Sequence, residues 1–175
     1  IERERHAIAV HEASHAIVAY KTRKHYEIDL ATIEKGGTYL GMVANIPPED
    51  QFTHWRSEFE ADIMVCLASL VGERMFFEGD SSSGVSGDLE TATRLSTYME
   101  GYWGMGSTLA VHGVTKEIGV GGGGQRPPGE QKGPKDLLDT LGSRIELKLG
   151  DLLARTEDLL RQNRQAILAV AHALE

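Results

Sequence analysis

Apolar residues recur every three or four positions over five stretches of the chain, a spacing that predicts helices. These stretches cover residues 1–21, 53–77, 86–102, 138–159 and 167–174. Because they include most of the chain, the predicted fold is mainly α-helical. Ser86 is predicted to be the N-cap of the third helix, and Gly142 or Gly150 to interrupt the fourth.

Two short segments between the first and second helices have the composition of β-strands. Residues 28–33 and 39–46 are rich in β-branched and aromatic side chains, and Glu34–Gly37 between them resembles a hairpin turn. The sequence therefore predicts a small β-sheet beside the helices. The strand at 39–46 has two possible roles, pairing only within the hairpin or also receiving the backbone of an extended peptide.

The composition is that of a single globular domain covering residues 1–175. With 18 Lys and Arg against 26 Asp and Glu, the formal net charge is −8, which argues against nucleic acid as a partner. No apolar run is long enough for a membrane segment. Residues 119–134 contain many glycines and few apolar side chains, and are predicted to form a flexible loop. Since the chain begins at Ile1, we expect it to be part of a longer protein.

His11, Glu12 and His15 form an H-E-x-x-H motif within the first predicted helix. Two histidines four residues apart lie on one helix face and can bind the same metal ion, while the glutamate beside them can act as general base. A chain of this composition would contain roughly 0.03 such motifs by chance. The sequence thus predicts a catalytic zinc site with Glu12 as the catalytic base. The single cysteine, Cys66, is predicted to be a core residue and not a ligand.

A third protein ligand is required, and the residues themselves leave two candidates. The extended motif with a third histidine would need glycine at position 18 and histidine at position 21, where this chain has Val18 and Lys21. Glu58, on the second predicted helix, could be the ligand, with Asp62 supporting it. Asp88, at the start of the third helix, could equally be the ligand.

Several segments resemble the peptidase domain of the FtsH family of ATP-dependent zinc metalloproteases, peptidase family M41. The similar segments are HEASHAIVAY at 11–20, YLGMVANIPPED at 39–50, LASLVGERMFFEG at 67–79, SGDLETATRLSTYMEGYWGM at 86–105 and LLRQNRQAILAVAHALE at 159–175. The resemblance implies that Asp88 is the third zinc ligand. This chain differs from the family at Ser14, where the family usually has glycine, and at Gly87, where the family often has asparagine. Neither change removes a ligand, so we expect an active site.

The resemblance also implies what surrounds this domain in the complete protein. We expect an upstream AAA ATPase module, which would bind ATP and Mg²⁺, and a homo-hexamer that degrades unfolded or damaged polypeptides. We expect it in the cytoplasm, at the cytoplasmic face of a membrane if the full-length protein is anchored. Two alternatives stay open: a free-standing thermolysin-like zinc peptidase with Glu58 as ligand, and a non-proteolytic, metal-stabilised assembly module.

Overall fold

The structure, a computed structural model, describes residues 2–24, 27–33, 42–46, 53–109, 111 and 134–175. The elements in chain order are α1 (Glu2–Thr22), β1 (Glu27–Thr32), β2 (Met42–Ile46), α2 (Arg56–Phe76), α3 (Ser86–Gly101), α4 (Pro134–Gln162) and α5 (Arg164–Leu174). A short 3₁₀ turn, Ser83–Val85, precedes α3. The predicted mainly helical fold with a small sheet is confirmed.

The helix α1 is the central element of the first of two compact units, which comprises Ile1–Ala92 and Asp151–Glu175. It packs against α2, α5 and both strands. Its residues from Glu12 to Ala19 are all buried, so successive side chains all around the helix face other elements. Small side chains such as Ala9, Ala13 and Ala16 allow those neighbours to approach closely.

The strands β1 and β2 pair antiparallel, with Glu27 opposite Ile46 and Thr32 opposite Met42. The register shifts by one residue between Ile28 and Leu30, which places a bulge at Asp29. The predicted hairpin turn at Glu34–Gly37 and the start of the second predicted strand lie outside the described residues. Pairing of β2 with a peptide backbone stays a prediction.

The second compact unit comprises Thr93–Gly150 and contains a buried ion pair. The carboxylate of Glu100 lies 3.2 Å from Lys148 Nζ and accepts a hydrogen bond from the backbone N–H of Ser107. These partners compensate for the burial of the carboxylate, which would otherwise be unfavourable. The single-domain organisation predicted for residues 1–175 stays a prediction.

The later helices correct two sequence predictions. Ser86 is not an N-cap, because its backbone is already helical (φ −62°, ψ −41°) and the preceding 3₁₀ turn is capped by Ser82. Neither Gly142 nor Gly150 interrupts α4, which is continuous from Pro134 to Gln162. A glycine costs a helix only about 1 kcal/mol, which the helix-forming residues around it can offset. Of the predicted loop at 119–134, only Pro134 is described, and it begins α4.

Within the part of the chain that the structure covers, no helix combines the length and the apolar character needed to cross a membrane.

Candidate metal centre

The helix α1 carries His11, Glu12 and His15 within the first compact unit. The two imidazole rings are one turn apart, with centroids separated by 4.9 Å and planes inclined by 75°. Glu12 and His15 are buried, with 6% and 9% of their surface exposed. Helical spacing thus places both histidines on one face, as the sequence predicts.

Asp88 reaches the two histidines from the first turn of α3. Its Oδ2 atom lies 3.3 Å from His11 Nε2 and 3.2 Å from His15 Nε2. In the described part of the chain, His11, His15 and Asp88 form a group whose ligand atoms all lie within 4.8 Å of one another. These three side chains could therefore hold one metal ion.

The helix α2 forms a hydrogen bond with each of these three side chains. The Val65 carbonyl accepts a hydrogen bond from His15 Nδ1 at 2.7 Å, and Glu73 Oε1 accepts one from His11 Nδ1 at 2.9 Å. The Ser69 hydroxyl donates to Asp88 Oδ2 at 2.6 Å. Since a carbonyl and a carboxylate accept hydrogen bonds, the two histidines carry protons on Nδ1 and direct Nε2 toward Asp88.

Mutual interactions shift the pKa values of the clustered groups. Burial raises the pKa of Asp88, but hydrogen bonds with His11 and His15 outweigh it and hold this pKa well below its usual value. Burial lowers the pKa of His11, whereas hydrogen bonds with Asp88 and Glu73 raise it to a net value above the usual one. Burial raises the pKa of Glu12 despite the nearby charges of His15 and His11. The cluster thus favours an ionised aspartate and a glutamate of increased basicity.

Glu58, the other candidate ligand, has a different role in the structure. It lies in the first turn of α2, where its Oε2 accepts a hydrogen bond from the Trp55 backbone N–H at 2.7 Å. It therefore satisfies a donor at the helix start. Asp62, suggested as its support, instead accepts a hydrogen bond from Arg23 Nε at 2.8 Å. Neither carboxylate belongs to the group formed with His11 and His15.

Val65, Ser69 and Glu73 are not among the functional residues that the sequence predicts. Ser69 and Glu73 are polar residues four positions apart that are buried in an otherwise apolar segment of α2. That combination is a usable signal, because a buried polar side chain needs a partner. Because every residue has a backbone carbonyl, the sequence cannot indicate that the carbonyl of Val65 contacts His15.

The whole chain, residues 1–175, matches the family model for peptidase family M41. An ATP-dependent zinc metalloprotease FtsH from Acidothermus cellulolyticus is 31% identical over 98% of this chain and 26% of its own length. The ATP-dependent zinc metalloprotease FTSH 9, chloroplastic/mitochondrial, of Oryza sativa subsp. japonica is 33% identical over 99% of this chain and 20% of its own. The ATP-dependent zinc metalloprotease YME1L of Drosophila melanogaster is 29% identical over 95% of this chain and 22% of its own length.

The helical fold with its small sheet and the H-E-x-x-H helix facing an aspartate are features of a metallopeptidase domain. The family match is more specific: the chain belongs to peptidase family M41. The predicted family and the predicted peptidase class are thereby confirmed. The chain spans about a quarter of the length of the curated relatives it matches.

Proposed function

We propose that this chain is a zinc metalloendopeptidase domain in which His11, His15 and Asp88 bind Zn²⁺ and Glu12 is the general base. The observation that carries the proposal is the convergence of three ligand atoms from two helices within 4.8 Å. Membership of peptidase family M41 and the names of the relatives, ATP-dependent zinc metalloproteases, support the same function.

The chemistry of the donor atoms and the distance from Asp88 to each histidine fit zinc. Two nitrogen ligands and one oxygen ligand are typical of catalytic zinc sites, which keep a fourth position open. Ligand atoms about 2.0–2.2 Å from zinc at tetrahedral angles lie about 3.3–3.6 Å from one another. The distances from Asp88 Oδ2 to His11 Nε2 and His15 Nε2, 3.3 and 3.2 Å, are close to that separation.

In the reaction, Glu12 would move the proton. A bound zinc ion would polarise the scissile carbonyl and lower the pKa of water enough for attack near neutral pH. Glu12 accepts a proton from the attacking water as its oxygen bonds to the carbonyl carbon. The carboxylic acid so formed gives the proton to the amide nitrogen as the C–N bond breaks.

For the complete protein we propose that this domain acts with an ATPase module in a homo-hexamer on unfolded or damaged proteins. The term "ATP-dependent" in the names of relatives about four times longer than this chain supports that arrangement. The proposed location is the cytoplasm, or the cytoplasmic face of a membrane if the protein is anchored. Degradation of a folded protein by the complete protein should require ATP, and sedimentation should give the mass of six subunits.

Zinc content and cleavage of an unfolded polypeptide such as casein test the proposed site together. The E12Q variant should retain zinc but lose about 10²- to 10⁴-fold in kcat, because the ligands remain and the base is lost. The D88N variant should lose both zinc and activity. Zinc content is measured by atomic absorption after dialysis.

The matched control is E58Q, which alters the capping carboxylate of α2 and should leave zinc and cleavage unchanged. Loss of zinc in E58Q with retention in D88N would instead support the thermolysin-like alternative. A wild-type protein that binds zinc but cleaves at the rate of E12Q would support a non-proteolytic assembly module.

A further inference from the structure

One face of α2 carries three groups that each contact a different proposed zinc ligand. Val65, Ser69 and Glu73 follow one another at intervals of four residues, so they lie in one row along the helix. The first contacts His15, the second Asp88 and the third His11. Each proposed zinc ligand therefore has its own hydrogen-bond partner on this face of α2.

The Glu73 carboxylate contacts more than the histidine. Ser82 donates to it from both its backbone N–H and its hydroxyl, the latter to Oε1 at 3.0 Å. Ser82 begins the 3₁₀ turn that leads directly into α3 and Asp88. Glu73 thus joins His11 on α1 to the segment that carries the third ligand.

The Ser69 hydroxyl acts on Asp88 itself. Asp88 stands in the first turn of α3 and is only partly buried, whereas Ser69 is fully buried in α2. A hydrogen bond of 2.6 Å from the hydroxyl to Oδ2 restricts the rotation of the carboxylate.

We propose that Ser69 and Glu73 are positioning residues for the zinc site. Ser69 orients the carboxylate of Asp88, and Glu73 orients the His11 imidazole and holds the turn that leads to Asp88. This role rests on the proposed zinc-binding function of His11, His15 and Asp88. A buried carboxylate is unfavourable in an apolar helix face, and only its hydrogen bonds compensate for that cost, which argues against a packing role.

The test compares S69A and E73Q with two controls from exposed positions, S57A and E146Q. The zinc dissociation constant is measured by competition with a chromogenic chelator. The visible spectrum of the Co²⁺-substituted chain reports ligand number and geometry. We expect S69A and E73Q each to weaken zinc binding by about 10- to 100-fold and to change the Co²⁺ spectrum. The controls should leave both unchanged.

A third variant, S82A, tests the turn without changing the buried row. Ser82 is exposed, and its alanine variant loses the hydroxyl that donates to Glu73 and caps the 3₁₀ turn, while keeping the backbone N–H that also donates to Glu73. We expect a smaller loss of zinc affinity, about two- to tenfold. Far-UV circular dichroism without added metal checks that each variant is folded. If S69A or E73Q does not fold, the result for S82A decides the role of Glu73.

The proposal is overturned if folded S69A, E73Q and S82A keep the wild-type zinc affinity and Co²⁺ spectrum. In that case D88N would still abolish zinc binding, so the proposed function would stand. A wild-type chain that binds no zinc, or a D88N variant that binds it normally, would overturn the proposed site and the positioning role together.

Discussion

Cys66 shows how strongly the surroundings of a single side chain control its chemistry. It lies on α2 one residue from Val65, half-buried, and is the only cysteine in the chain. Burial, with a smaller contribution from the carboxylate of Asp88, raises the pKa of its thiol to about 12. This shift makes Cys66 a poor nucleophile, because the thiolate is the reactive form.

We therefore expect slow alkylation of Cys66 in the folded protein. At pH 8 only about one thiol in ten thousand would be ionised, so iodoacetamide should react at least about 100-fold more slowly than in urea. The folded rate should rise with pH up to about pH 12, since the thiol ionises only as the pH approaches its pKa. Mass spectrometry of timed samples measures both rates, and equal rates in the folded and unfolded chains would contradict the prediction.

At the level of elements, the contact between α1 and α2 depends on one pair of small residues. A Cβ added to Gly72 would lie 2.8 Å from the Cβ of Ser14 and even closer to its hydroxyl. Ser14 is fully buried, and its hydroxyl donates to the Val10 carbonyl at 2.7 Å. The side chain of Ser14 thus occupies the space that Gly72 leaves.

The G72A variant should lose about 1–3 kcal/mol of stability, because neither helix can move away without disturbing the buried residues around it. In the G72A background, the S14G change should recover part of this loss, since it removes the overlapping side chain. Urea denaturation of the two single variants and the double variant gives the coupling free energy.

The control for this pair is G150A in α4, where an added Cβ meets no atom within 4 Å. It should raise stability by about 0.5–1 kcal/mol, because alanine is the better helix former. If G72A were as well tolerated as G150A, close approach of α1 and α2 at Ser14 would not be required.

At the level of the whole chain, the proposed metal would join α1 to the start of α3. Residues of α2 form hydrogen bonds with the ligands from both helices. The three ligands come from residues 11, 15 and 88, so the metal would close a long segment of chain. Binding to the folded state alone stabilises a protein in proportion to the logarithm of the free metal concentration.

Removing zinc with a chelator should therefore lower the melting temperature. At a free zinc concentration 100 times the dissociation constant, the stabilisation is about 2.7 kcal/mol. For a chain of this size that corresponds to about 5–10 °C. The D88N variant should melt at the same temperature with and without zinc, whereas E12Q should show the full shift. Scanning calorimetry measures these temperatures, and a zinc-dependent shift in D88N equal to that of wild type would contradict the proposed ligand set.

The sequence alone predicts the main helices, the two strands and the motif on α1, because periodicity and the spacing of His11 and His15 are local properties. It could not choose between Glu58 and Asp88, since both are carboxylates near a helix start. Which of them lies beside the histidines depends on how α2 and the turn before α3 pack against α1, and this is visible in the folded chain alone. The hydrogen bonds that Ser69 donates to Asp88 and that Glu73 accepts from His11 likewise join residues far apart in sequence, and local patterns carry no information on such contacts.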